Sequence, residues 1–389
     1  MNEPLKANVF TPCHRQAQDV RSSCRANGRQ TPTMTTQLAE RLPAALAAIC
    51  LLPRRMLLDT PGVAATVPML RGVWGAALHD LDPAAYAAVF GPNDEALRSP
   101  GGSLPAGGTP PHRVAARLRP RSATANLATA VAPGPAPPTP TGGTEAAAYI
   151  LRPAPPDPQF APAVEWILIG DATQHDFTLC RAWDVASGMG LGPNRLRFQL
   201  RRTVVLQPDG RTVDHASPWP LSDARWIAQP RAAQADRGLR DSEESLRELK
   251  PHEPCRLAFP APLRLMFRKR LIEAPTLPDI VVAACRRVKA YLPAGAQAEW
   301  DALSRQALDA ARATPATPWQ GQRLDLHRYS GRQRAELELR GVAGFLELPG
   351  GPGELSPLLA AAQWLHLGKG TVMGLGRLIV EQGTTRREE

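Results

Sequence analysis

The sequence predicts an α+β protein built from a pair of βαββαβ units, and three observations carry that prediction. Strand-like and helix-like segments alternate twice over, in two halves of similar size. A length of 389 residues suits two domains, each able to bury its own core. Near the C-terminus an apolar helix pattern runs into Gly368, Gly370, Gly374 and Gly376, followed by the strand-like Leu378-Ile379-Val380. Glycines at that density allow close backbone approach and can turn N–H groups toward a polyanion.

In chain order, residues 1–38 are polar, Arg- and Gln-rich and without periodicity, and read as a disordered tail in which Met34 is an alternative start. From Leu42 to Leu58 the chain turns apolar and fits an opening strand or hairpin. Leu70, Val73, Trp74, Ala77 and Leu78 then follow the 3.6-residue period, which predicts a helix over Pro68 to His79. Residues 91–146 are crowded with Pro, Gly, Ala, Ser and Thr, a composition that cannot make a packed core, and read as a long loop or insertion. Order resumes at Tyr149-Ile150-Leu151, with a strong strand at Val164 to Ile169 and a helix over Phe177 to Ser187 ended by Gly188. From Arg195 to Leu206, Leu196, Phe198 and Leu200 alternate with Arg195, Arg197, Gln199 and Arg201, a half-buried strand with a positive outer face. The N-terminal domain is thus placed at 39–207 and a linker at 208–254.

The C-terminal domain, 255–382, opens with strand patterns at Cys255 to Pro260 and Leu263 to Phe267. Helices are predicted over Leu277 to Leu292 and Ala296 to Ala311, strands over Ala335 to Leu339 and Gly344 to Leu348, and a helix over Ser356 to Leu367. The glycine loop and a last strand follow.

Composition restricts the partners. With 46 Lys and Arg against 36 Asp and Glu, the net charge is +10 and the pI near 9.8, a bias toward nucleic acid or an anionic surface, although soluble basic proteins in general share it. No apolar run reaches the roughly 18 to 20 residues of a membrane span, and the first residues lack a secretory apolar core. Six scattered cysteines form no CxxC pair, so neither a zinc knuckle nor a disulfide framework is indicated. The expectation is a soluble, reduced, cytoplasmic protein without a membrane partner.

Seven segments in a fixed order between about residues 65 and 380 carry a resemblance. They are Leu70-Arg71-Gly72-Val73-Trp74-Gly75-Ala76-Ala77-Leu78, Trp166-Ile167-Leu168-Ile169-Gly170-Asp171-Ala172, Gly188-Met189-Gly190-Leu191-Gly192, Leu257-Ala258-Phe259-Pro260-Ala261-Pro262-Leu263-Arg264, Cys285-Arg286-Arg287, Arg328-Tyr329-Ser330-Gly331-Arg332-Gln333 and Leu365-His366-Leu367-Gly368-Lys369-Gly370-Thr371. Together they resemble the repeat-processing endoribonucleases of CRISPR systems, within the RAMP superfamily. The resemblance implies two tandem ferredoxin-like (RRM-like) domains and metal-independent cleavage of CRISPR precursor RNA within its repeats. It further implies no cofactor, and a product that can stay bound and pass to other CRISPR effector subunits. Many relatives carry a cysteine cluster after the Arg-Gly helix; His79 to Tyr86 contains none, so no structural zinc is expected.

Metal-free RNA cleavage of this kind uses the ribose 2′-OH against its own phosphate, which calls for a base, an acid and cationic charge. His79, on the first helix of the first domain where several members of the family carry the general base, is the leading candidate; its alternative is a solvent-exposed helix-end histidine. His366 reads either as catalytic or as part of the loop's architecture, and Lys369 and Tyr329 are supporting candidates, as is His327 more weakly. His175, in Asp171-Ala172-Thr173-Gln174-His175-Asp176, reads as a solvated turn rather than a metal site. Gly368-Lys369-Gly370-Thr371 lacks the spacing of a Walker loop, and Gly188 to Gly192 follows a helix instead of a strand, unlike a dinucleotide fingerprint. Between Arg256 and Lys289 eight basic residues face two acidic ones, which reads as RNA track and predicts salt-sensitive binding. The expected RNA contacts are Arg71, Arg195, Arg197, Arg264, Arg286, Arg287, Arg328, Arg377 and the glycines 368, 370, 374 and 376. A non-catalytic RAMP subunit that grips repeat or guide RNA is the alternative function, and a general basic nucleic-acid binder a third.

Overall fold

The computed structural model describes residues 35–59, 65–91, 147–154, 163–192, 194–229, 246–330 and 335–382; the expected tail up to residue 34 and residues 92–146 of the expected insertion lie outside them. The first unit runs α1 (Thr35–Leu46), β1 (Cys50–Asp59), α2 (Val67–Leu81), α3 (Pro83–Phe90), β2 (Tyr149–Pro153), β3 (Ala163–Ile169), α4 (Asp176–Met189) and β4 (Gln199–Leu206). Its sheet has the antiparallel order β2-β3-β1-β4, the ferredoxin-like arrangement of a split βαβ unit. Residues 208–254, read from the sequence as a connection, contribute two short strands to each sheet. β5 (Thr212–Val213) and β6 (Trp219–Pro220) pair with β4 and β1, whereas β7 (Ile227–Gln229) and β8 (Arg247–Glu248) extend the second sheet.

That second sheet is formed by β9 (Cys255–Leu263), β12 (Gln320–Ser330), β13 (Ala335–Leu348) and β14 (Ile379–Gln382), in the order β12-β13-β9-β14-β7-β8. Between β9 and β12 lie the ribbon β10 (Met266–Phe267) and β11 (Arg270–Leu271), then α5 (Leu277–Lys289) and α6 (Gln297–Ala313); α7 (Ser356–Leu365) precedes β14. The ferredoxin-like order therefore occurs twice. A capping box, Thr276 with Asp279, starts α5 and contributes about 1 kcal/mol.

The first sheet is covered on both faces, which explains why β3 is apolar without alternation apart from Glu165. Leu52, Met56, Trp166 and Leu168 pack with Trp74 of α2 and Trp183 of α4, whose rings stack at 4.9 Å. Leu51, Ile150, Ile167 and Ile169, of the opposite parity, join the core of the second unit.

Four elements differ from expectation, the first being the strand expected from Arg195, which begins only at Gln199, with Arg195 at φ 47° and Leu196 exposed. The opening apolar stretch is not all strand: Leu38, Leu42 and Leu46 recur every four residues and bury α1 against the second unit, with Pro43 inside the helix. Each buried leucine contributes about 1.5–3 kcal/mol, which together outweigh the roughly 3 kcal/mol cost of the proline. The two short strands expected at 335–339 and 344–348 are one strand, β13, and its hairpin partner β12 was not anticipated. Gly321 and Gly344 face each other there under Trp319, where an added Cβ would collide with the opposite strand, so they are packing glycines rather than breaks. Finally, α4 continues past Gly188 to Met189 and is capped by Gly190 at φ 77°.

Candidate functional site

The glycine segment leaves α7 at the junction of the two units. Gly368, Gly370, Gly374 and Gly376 have φ between 66° and 80°, where side chains are strained. Protein backbone lies close to three of them, Arg264 against Gly368, Leu151 and Arg152 of β2 against Gly374, and the Leu367 carbonyl against Gly376, while the Leu375 side chain lies against Gly370. The N–H groups of Lys369, Met373, Gly374 and Gly376 donate to the carbonyls of Arg264, Gly370, Thr371 and Pro262. Those four N–H groups are therefore turned toward protein carbonyls. These glycines let the segment work as a bracket that locks the second unit onto β2, and the Lys369 side chain remains exposed at its edge.

His366 lies at the root of the bracket and is 0% exposed. Its Nδ1 is 3.1 Å from the Leu375 carbonyl and its Nε2 3.2 Å from Arg152 Nη1. A guanidinium only donates, so Nε2 accepts and Nδ1–H donates to Leu375. Burial, reinforced by Arg152 and Arg377, holds its pKa well below 6.5. With both ring nitrogens engaged and no solvent contact, the neutral imidazole is placed as a positioning group in the architecture of the segment. It also ends α7 with φ 54°, a strained conformation for a residue with a side chain.

Arg152 continues the network inward. Directly opposite it across β2 and β3 stands Glu165, and directly opposite Glu165 across β3 and β1 stands Arg55. Arg152 Nε donates to Glu165 Oε2 at 2.7 Å, and Arg55 Nε and Nη2 donate to Oε1 at 2.9 and 2.7 Å. Burial pushes the Glu165 pKa up, but Arg152, Arg55 and Arg377 win and pull it down to about 2. Arg152 also donates to the Gln363 carbonyl and lies over the Trp364 ring. Sequence reasoning missed this row, although a lone carboxylate inside Val164-Glu165-Trp166-Ile167-Leu168-Ile169 was its visible signal.

The other expected RNA contacts divide into two groups. Arg71, Arg287 and Arg377 are engaged within the fold. Arg71 Nε donates to Tyr149 Oη at 2.6 Å, Arg287 donates to the Leu365 carbonyl and Thr371 Oγ1, and Arg377 donates to the Pro153 carbonyl at 3.0 Å. Arg195, Arg197 and Arg286 are exposed, and Arg264 is half-buried beside Gly368. Arg328, Tyr329 and His327 lie on β12, with side chains outside the described residues.

His79 sits in the last turn of α2 with its side chain 34% exposed. Its Nδ1 is 3.6 Å from Asp80 Oδ1, and the Tyr86 ring meets it edge-on at 5.2 Å. A partly exposed imidazole of this kind is the group whose ring nitrogens suit proton transfer near neutral pH. Near His175, Asp176 is taken by Arg54 Nε at 2.6 Å. Among the described residues no three His, Cys, Asp or Glu side chains group as metal ligands, and no helix is long and apolar enough to cross a membrane.

Residues 257–378 match the family described as CRISPR-associated endoribonuclease Cas6. Four of the seven segments that carry the sequence resemblance fall inside that match. No curated protein matches the chain. Similar solved structures include a Cas6 product complex, with 12% identity over 85% of this chain and 99% of that one and a TM-score of 0.45. Others are Thermus thermophilus Cas6, at 12% over 86% and 99% with TM-score 0.43, and a Cas6-related protein of Pyrococcus furiosus, at 7% over 85% and 98% with TM-score 0.37.

Proposed function

We propose that this chain is an endoribonuclease that cuts CRISPR precursor RNA within its repeats without a metal ion. The observation that carries the reading is the match of residues 257–378 to the Cas6 family. The ribose 2′-oxygen forms a bond to its own phosphorus as the bond from phosphorus to the 5′-oxygen breaks, leaving a 2′,3′-cyclic phosphate and a 5′-hydroxyl. His79 is the base and takes the 2′-hydroxyl proton, with Asp80 as the nearest carboxylate to its ring. Of the two histidines His79 and His366, His79 has the accessible ring, whereas His366 is sealed in the bracket. Lys369 offsets the charge that builds on the phosphorane, and Tyr329 supplies the proton to the leaving 5′-oxygen. Arg195, Arg197 and Arg286 bind phosphates of the repeat. The released guide then passes to other CRISPR effector subunits.

The test is cleavage of the repeat RNA from the neighbouring CRISPR array by purified protein in EDTA, alongside the same RNA carrying a 2′-deoxy sugar at the cut position. A single cut in the first and none in the second is expected. Tight binding without cleavage of either RNA would leave an RNA-holding subunit instead.

A further inference from the structure

The ribbon β10–β11 stands outside both large sheets. Met266 pairs with Leu271 and Phe267 with Arg270, so its turn consists of Arg268 and Lys269 alone. Both have positive φ, 47° and 66°, as in the tight hairpin turn that ordinarily takes Asn-Gly. Side chains there cost conformational energy, so folding by itself favours other residues at these two positions. The ribbon's base is fixed: Ile272 N–H donates to the Leu265 carbonyl at 2.9 Å, Leu265 is buried, and Leu271 and Ile272 pack on the core. Its tip is bare, with Phe267 62% exposed, Arg268, Lys269 and Arg270 exposed, and the Arg268 guanidinium 5.2 Å from the Phe267 ring centroid.

The ribbon also abuts the glycine bracket. Arg264, one residue before its base, bridges to Gly368 and accepts the Lys369 N–H at 3.1 Å. Arg264 Nε is buried without a hydrogen-bond partner among the described residues. The neighbouring acid, Glu273, is paired with Arg323 at 3.2 Å. Among the described residues, Arg264, Arg268, Lys269, Arg270 and Lys369 form no ion pair with a carboxylate.

We infer that this ribbon is an RNA-contacting finger: Phe267 stacks on an unpaired base of the repeat, and Arg268, Lys269 and Arg270 take the flanking phosphates. The inference rests on the proposed RNA substrate. Cations without acidic partners require a polyanion, and an exposed ring beside a guanidinium suits a nucleobase better than a protein surface.

The experiment uses the full chain and the repeat RNA, with dissociation constants measured across a KCl series. The double variant Arg268→Asn, Lys269→Gly supplies the residues the turn prefers, so it melts no lower than wild type. It nevertheless binds more weakly, with a salt dependence flatter by about 2 units for two lost phosphate contacts. Phe267→Ala loses about tenfold in affinity with an unchanged salt slope, and Phe267→Trp restores it. If wild type binds and all three variants match it in affinity and slope, the finger is overturned, the RNA reading stands, and the tip becomes a candidate surface for a protein partner. If wild type itself does not bind repeat RNA, the RNA reading fails and the finger with it.

Discussion

Arg152 Nη1 donates to His366 Nε2 at 3.2 Å, and this bond ties β2 of the first unit to the residue that ends α7 of the second. The same arginine is held by Glu165, which is held in turn by Arg55, so the bracket is fixed to the middle of the first sheet. His366→Ala leaves Arg152 Nη1 short of a partner and the Leu375 carbonyl unsatisfied in a dry interior, at a cost of about 3 kcal/mol. Thermal unfolding reads the loss. An unchanged melting temperature would contradict the bracket.

The same histidine makes stability depend on pH. Folded His366 stays neutral well below 6.5, whereas in the unfolded chain it takes up a proton near 6.5. The unfolded state therefore binds more protons below that value. Stability is fully present above about pH 6.5 and declines as pH falls, by up to about 1.4 kcal/mol per unit. Glu165 acts in the same direction lower down, its contribution being lost as pH falls from 4.5 toward 2. Denaturant midpoints between pH 7.5 and 5 are expected to fall more steeply for wild type than for His366→Gln; parallel curves would refute the assignment.

Glu165→Gln removes the carboxylate between two guanidinium groups and leaves their charge uncompensated in a buried row. Breaking one side of such a cluster costs about 3–5 kcal/mol, more than the intact cluster contributes over an apolar substitute. Urea unfolding at pH 7 measures it. A loss below 1 kcal/mol would mean that water reaches the row.

Two glycine substitutions have opposite expected signs. Gly376, at φ 66°, has the Leu367 carbonyl where a Cβ would stand, so Gly376→Ala should cost more than about 2 kcal/mol. Gly72 lies inside α2 with open space around it, so Gly72→Ala should gain about 0.5–1 kcal/mol. Melting temperatures that move in the same direction for both would contradict the account.

Much of the fold was legible in local pattern, because Leu70, Trp74, Ala77 and Leu78 report one buried helix face directly. What stayed hidden was set by the docking of one unit on the other. The burial of α1 is visible only once the second core is present, so the apolar residues from Leu42 were read as the start of a strand. Residues 340–343 were left between two short strands because the continuity of β13 is set by its partner, β12. The glycine segment stood out in the sequence, and in the fold protein backbone from Arg264, Leu151 and Leu367 approaches three of its glycines closely. His366 was read beside His79 because sequence carries no burial; 0% against 34% exposure separates them.

The most direct test of the proposed chemistry is the single-turnover cleavage rate of repeat RNA in EDTA by wild type and His79→Ala, with RNA affinity measured in parallel. A general base contributes about 10²- to 10⁴-fold, so the account predicts a rate reduced by at least a hundredfold with binding unchanged. Cleavage by His79→Ala at the wild-type rate would contradict it and place the base elsewhere in the chain.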